Sequence, residues 1–295
     1  MCQGQTTLNS SKTIRHHNKI DEITNIKQIQ SLIKSIDKEY SNFKIDDTLI
    51  YSDKDCKRLC DSLKIKTFTK ADLDNNGYTD LIVIGEWNDP SIICIFDQGK
   101  NKFSINRLTR RSFQDCSFAS VDTNGGETFV NYYYFKQSDD WRQIDTTPNI
   151  QSKKLIYKFG DFVEYNNSPP NYNIQKLEFQ TTMCFGSCPI FNLTINSNRS
   201  AKYEAVKFNE SEGEFSGTID KDTYNELLEL LNYIDFPNLK NNYSVGWTDD
   251  QTCTLSITYD NGKKKTITDY GKIGTYGLDR IYSILFKLRE NQTWN

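Results

Sequence analysis

The residues of this chain best suited to chemistry are Asp72, Asp74, Asn76 and Asp80, which set acidic or amide oxygens at positions 1, 3, 5 and 9 of one short loop, with Gly77 at position 6. Calcium is a hard cation that takes six to eight oxygen ligands at about 2.3–2.6 Å and accepts carboxylate, amide, carbonyl and water oxygens together. Gly77 permits the left-handed turn that wraps backbone around an ion, and the carbonyl of Tyr78 would then point inward at position 7. The expected ligand set is therefore Asp72, Asp74, Asn76, Tyr78 and Asp80, holding a structural calcium ion rather than a Lewis acid. Position 12 is Val83 where an EF-hand needs a bidentate Glu, and the flanks at 64–70 and 81–87 read as strands, not helices. The plainer alternative is an Asp/Asn/Gly turn that joins two strands for backbone reasons alone.

Cysteines are the second resource. Met183-Cys184-Phe185-Gly186-Ser187-Cys188-Pro189 leaves three chemistries open. A local Cys184–Cys188 disulfide is expected first, because Gly186 lets the two Cβ atoms approach. A redox pair is disfavoured by three intervening residues between strands, where thioredoxin-like centres use two at a helix start. Metal ligation would need Cys56 and Cys60 to converge on the same point. Cys56, Leu59, Cys60 and Leu63 recur at helical spacing, so both thiols are expected in the core, as are Cys94 in an apolar strand and Cys253 in an alternating one; Cys116 could pair with any of them.

Other chemistry is poorly supplied. The two histidines, His16 and His17, stand in a polar leader, which argues against histidine triads and histidine-ligated metals. The formal charge of −3 is spread along the chain, and the one basic run, Lys263-Lys264-Lys265, follows a hairpin turn, so nucleic acid is not expected as a partner. Asp249-Asp250 beside Trp247 reads first as a turn that opens a strand and second as a sugar site.

These residues need elements to hold them. Ile23, Ile26, Ile29, Ile33 and Ile36 predict an amphipathic helix over 21–40, and a second helix begins near Ser52 with Asp55 as a capping-box-like partner. Strands are then expected at 64–70, 81–87, 92–96, 103–108, 118–121, 128–135 and 155–164. The paired prolines Pro169-Pro170 mark a linker at 165–172. Beyond it come strands at 174–181, 190–196, 201–208, 214–219, 252–259 and 264–269, and helices at 221–234 and 276–289; Asn261-Gly262 marks a hairpin. The fold class is α+β: two β-rich domains, 21–164 and 173–295, each an antiparallel sheet with about two helices, behind a flexible tether at 1–20.

Two stretches resemble known families. The strand, Asp-x-Asp-x-Asn-Gly-x-x-Asp-Leu loop and apolar strand around Asp72 to Asp80 resemble the calcium loops of FG-GAP and VCBS repeats of extracellular β-propellers, which implies calcium. The only echo here, Asp122-Thr123-Asn124-Gly125-Gly126-Glu127, lacks the closing Asp, so a full propeller is not expected. The Cys-Phe-Gly-Ser-Cys-Pro loop, with Trp247-Thr248-Asp249 and the Asn261-Gly262-Lys263 hairpin, resembles an uncharacterised domain family of Bacteroidota lipoproteins over about 174–288, and implies no activity.

Cys2, followed by Gln3-Gly4-Gln5 and a polar run, looks like the mature start of a lipoprotein, with Cys2 as lipid anchor; the alternative is an incidental cysteine in a cytoplasmic protein. No stretch reaches the length of a membrane span. The functional expectation is a non-catalytic, calcium-stabilised lipoprotein of the cell envelope, periplasmic or on the outer membrane. It would touch the membrane only through its anchor and bind an unknown protein or glycan. The alternative is a thiol-active or hydrolytic envelope enzyme.

Overall fold

The computed structural model of the chain describes residues 14–49, 51, 53–87, 89–110, 116–135 and 150–295. Cys2 lies outside them, as does Ser52. The described residues fall into two compact units, one within Met1–Lys136 and Pro148–Tyr157, the other including Lys158–Asn295. The expected α+β class is what the chain adopts, with four α-helices and antiparallel sheets among the described residues.

In the first unit, α1 (Ile26–Ile36) starts at a reciprocal capping box, Asn25 accepting from the Gln28 N–H while the Gln28 side chain reaches back to the cap. It is shorter than the expected 21–40, because Asp37 is extended and its side chain accepts from Glu39 N–H, opening a separate 3-10 turn at Lys38–Asn42. The second helix, α2 (Lys54–Ser62), is capped by Asp53, whose side chain accepts from Cys56 N–H. An antiparallel meander follows: β1 (Phe68–Ala71), β2 (Asp80–Trp87), β3 (Asp89–Asp97) and β4 (Phe103–Arg107). A second antiparallel run contains β5 (Ser117–Asn124), β6 (Glu127–Phe135) and β7 (Ile150–Lys158).

Leu81, Val83, Ile93 and Ile95 form one face of β2 and β3 and pack with Ile29, Leu32 and Ile33 of α1. The alternate residues Ile82, Ile84, Ile92, Cys94 and Phe96 are buried too, so these two strands are apolar on both faces. Phe96 meets Tyr157 of β7 with ring centroids 4.5 Å apart. Cys56, expected as a packed thiol, is instead joined to Cys116 across 60 residues of sequence. Helical spacing places a cysteine on the buried stripe, but only the tertiary fold brings β5 to α2.

The expected single strand at 155–164 is two, β7 and β8 (Asp161–Glu164), because Phe159 and Gly160 both take left-handed backbone angles (φ +57° and +73°). The division between units precedes the 165–172 stretch, which packs within the second unit: Asn166 Nδ2 donates to the Tyr233 carbonyl at 2.7 Å and the Tyr172 hydroxyl to Asp235 Oδ1 at 2.8 Å. Its prolines bar helix and strand without making it a free connector.

The remaining elements are β9 (Ile174–Thr181), β10 (Ile190–Asn196), β11 (Ser200–Lys207), β12 (Gly213–Thr218), α3 (Lys221–Tyr233), β13 (Asn242–Ser244), β14 (Thr252–Tyr259), β15 (Lys263–Tyr270) and α4 (Tyr276–Asn291). Seven strands form one sheet in the order β12-β11-β10-β9-β14-β15-β13, antiparallel except for the short edge strand β13, which runs parallel to β15 and which the sequence pattern did not suggest. Burial alternates along β9, β10, β11 and β14, and the aromatic residues of the buried face reach α4: Phe179 stacks on Tyr282 at 5.6 Å, and Phe191 meets Phe286 edge-on at 5.3 Å. The opposite face is polar, with Glu178 paired to Lys176 and Lys264. The Glu164 carboxylate takes the first free N–H groups of α4, from Tyr276 and Gly277. No helix among the described residues is long and apolar enough to cross a membrane.

Candidate functional site

The pairing of Ala71 with Asp80 closes the β1–β2 connection and turns Asp72 to Thr79 into a compact loop. Inside it, each carboxylate first satisfies the backbone. Asp72 Oδ2 accepts from Gly77 N–H at 2.9 Å, Asp74 Oδ1 from Asn76 N–H at 3.1 Å, and Asp80 Oδ2 from Leu73 N–H at 2.8 Å. The consequence is convergence: Asp72, Asp74 and Asp80 each present an oxygen within 4.8 Å of the others. Asp80 is fully buried, Asp72 Oδ1 is buried with no partner among the described residues, and no ion pair there reaches the three.

Burial, followed by the nearby Asp74 and Asp72 charges, pushes the Asp80 carboxyl up to about 8, against two backbone N–H groups that favour its ionised form. Burial likewise raises Asp74. Like charges in a low-dielectric loop are held at a cost that either a proton or a cation must relieve.

Gly77 has φ +89°, and a Cβ there would run into the carbonyl oxygen of Ile14, so both the turn and the close approach exclude a side chain. That approach revises the expected tether. Residues 14–20 are docked on the loop: His16 N–H donates to the Gly77 carbonyl at 2.8 Å, the His16 ring stacks on Tyr78, and Asn18 Nδ2 donates to the Thr79 carbonyl at 2.7 Å. Asn76 directs its amide NH2, not its oxygen, to Asp74 Oδ2 and to the Asp97 carbonyl, while its Oδ1 accepts from Tyr78 N–H.

One participant escaped the sequence pattern. Asp97, the first residue of the Asp97-Gln98-Gly99 stretch that follows the apolar run of β3, is fully buried; its N–H donates to Asp80 Oδ1 at 2.9 Å, its Oδ1 accepts from Gly99 N–H, and its Oδ2 has no partner among the described residues. Its position at the end of β3, directly before Gln98-Gly99, was the available signal.

In the second unit, Cys184 and Cys188 form the expected disulfide. Their loop is bound to the β13–β14 connection: Phe185 N–H donates to the Asp249 carbonyl at 2.9 Å, and the buried Gln251 side chain donates to the carbonyls of Thr182 and Pro189 at 2.9 and 2.8 Å. Trp247 Nε1 donates to Asp250 Oδ2 at 2.6 Å, and Asp249 has φ +76°, so Trp247-Thr248-Asp249-Asp250 is a turn ahead of β14. Cys60, Cys94 and Cys253 are buried; burial pushes the Cys60 thiol up to about 11 and that of Cys253 up to about 12.

With this disulfide loop between the first two strands of the sheet, a family match can be placed. Residues 175–289 match a domain of unknown function, DUF6438. The match runs from β9 to near the end of α4 and so contains the Cys184–Cys188 loop and both covering helices. No curated protein and no solved structure shows a significant match to the chain.

Proposed function

We propose that the chain is a non-catalytic, calcium-stabilised lipoprotein of the cell envelope, anchored through Cys2, whose two β-rich units bind a protein or a glycan. The observation that carries the calcium reading is the convergence of Asp72, Asp74 and Asp80 within 4.8 Å around a fully buried Asp80. A hard divalent cation neutralises that charge and takes the oxygens left over by the backbone hydrogen bonds; Asn76 joins the ligand set by turning its amide over. The ion acts as a clip between β1 and β2, and the likeness of the loop to FG-GAP and VCBS calcium loops points the same way.

The two disulfides support an oxidising compartment, and with it the envelope. The DUF6438 match coincides with the region that resembles the lipoprotein domain family of the Bacteroidota. Buried thiols whose ionisation is pushed far above neutral pH favour a binding module over thiol catalysis.

The test is a thermal melt of the purified chain in EDTA, in millimolar calcium and in magnesium. At about 100-fold excess over Kd an ion that binds only the folded state adds about 2.7 kcal/mol, which reads as a rise of several degrees specific to calcium. A melting temperature indifferent to calcium would reduce the loop to a turn.

A further inference from the structure

We propose that one end of the seven-stranded sheet is a docking surface for a cationic amphipathic segment of a protein partner. This deepens the binding-module reading and rests on it. The register defines that end: Thr181 of β9 lies opposite Cys253 of β14, and Ile190 of β10 opposite Lys207 of β11, so the β9–β10, β11–β12 and β13–β14 connections emerge together. Asn209 Nδ2 ties the second of these to the Ile190 carbonyl at 2.8 Å.

Those connections expose Met183 (71%), Phe185 (89%), Phe208 (44%) and Trp247 (37%), four of the eight large apolar side chains exposed among the described residues. Exposed apolar residues scattered singly are ordinary, whereas a cluster marks an interaction site. The exposure is also built in. The Cys184–Cys188 bond, the Phe185 to Asp249 hydrogen bond and the double clamp of Gln251 hold Phe185 at the apex, so little ordering entropy is lost when a partner covers it. Met183 beside it supplies an adaptable contact.

Charge selects the occupant. Asp249, Glu210 and Glu212 are exposed and Asp250 is half-buried, and no ion pair among the described residues engages any of them. The cations of the same end are Lys207, over the Phe208 ring at 4.9 Å, Lys272, over the Phe286 ring at 5.1 Å, and Arg289, which lies over the Phe191 and Phe286 rings, donates to Asn209 Oδ1 and is paired with Glu290, leaving the four carboxylates in excess. An anionic bilayer would be repelled by the four carboxylates. A glycan could stack on Trp247 but would press its hydroxyls against Met183 and Phe185, which cannot hydrogen-bond them. A segment with one apolar face and Lys or Arg along its borders satisfies both the aromatic apex and the carboxylates.

The probe is a fluorescein-labelled amphipathic helix of Leu and Lys, about four turns long, titrated with the full chain and read by anisotropy. A Ser/Lys peptide of equal charge, a Leu/Glu peptide and phosphatidylcholine/phosphatidylglycerol vesicles serve as comparisons. The expected result is saturable binding of the Leu/Lys peptide alone, weakened at least about tenfold by Phe185→Ser, and weakened by Asp249→Asn with Glu212→Gln at low salt but little at high salt. Equal binding of the Leu/Glu peptide, binding indifferent to Phe185→Ser, or no binding would overturn the proposal; vesicle binding lost in Phe185→Ser would overturn it in favour of a membrane surface. The calcium melt of the unchanged chain is read separately, so failure of this partner class is distinguishable from failure of the calcium-stabilised reading.

Discussion

The chain contains two strand-to-strand loops that solve the same problem in opposite ways. The β1–β2 loop turns inward: Leu73 and Asp80 are buried, and three carboxylates are gathered at a point that backbone hydrogen bonds fix but do not neutralise. The β9–β10 loop turns outward: a covalent bond and a buried glutamine hold its base while Phe185 stands in solvent. The first leaves its charge to be settled by a proton or, on the calcium reading proposed above, by a cation, and so is conditional on its surroundings. The second is complete without one and is free to present a surface.

The sharpest way to break the contrast is Asp80→Ala. On the calcium reading it is expected to remove any calcium response, and it strands the Leu73 and Asp97 N–H groups, at about 1–3 kcal/mol for each buried donor left unpaired, so the melting temperature is expected to fall even in EDTA. Asp74→Ala is expected to lose calcium affinity and most of the calcium-dependent rise, up to about 2.7 kcal/mol, with a smaller change in EDTA; an undiminished rise would reject this loop as the site.

On the other side, Cys184→Ser with Cys188→Ser costs roughly 2 kcal/mol by loop-closure entropy, and denaturant titration should show no calcium dependence in the loss. The pH response separates the loops further. Asp80 has a folded pKa raised from 3.8 to about 8, so the metal-free folded state holds a proton that the unfolded chain has released across that window. Stability in EDTA therefore falls as pH rises between those values, and saturating calcium should remove the fall; a flat melting temperature from about pH 5 to about pH 8 in EDTA would contradict the burial of that carboxyl. The smallest effect is expected from Phe185→Ser, within about 0.5 kcal/mol by the same denaturant titration, because the ring is 89% exposed and packs on little.

Much of the scaffold was legible in the amino acids. The alternating runs of β9, β10 and β14 were read at their observed limits, since one buried face imposes a period of two and a slip of one residue would turn every apolar side chain to water. The ends of α1 and the break between β7 and β8 were less visible, because they depend on how Asp37 and Phe159-Gly160 are held and not on the pattern of apolar residues.

By itself the sequence determined the α+β class, the carboxylate spacing at Asp72, Asp74 and Asp80, and a Cys184–Cys188 spacing across Gly186 that allows a local ring, because each is written in residues close along the chain where local geometry decides. Only the tertiary structure decided that Cys56 meets Cys116, that Asp97 braces Asp80, that His16 and Asn18 dock on the loop, and that Phe185, Phe208 and Trp247 share one end of a sheet. Those are contacts between residues far apart in sequence, set by strand register and by which apolar faces find each other in folding.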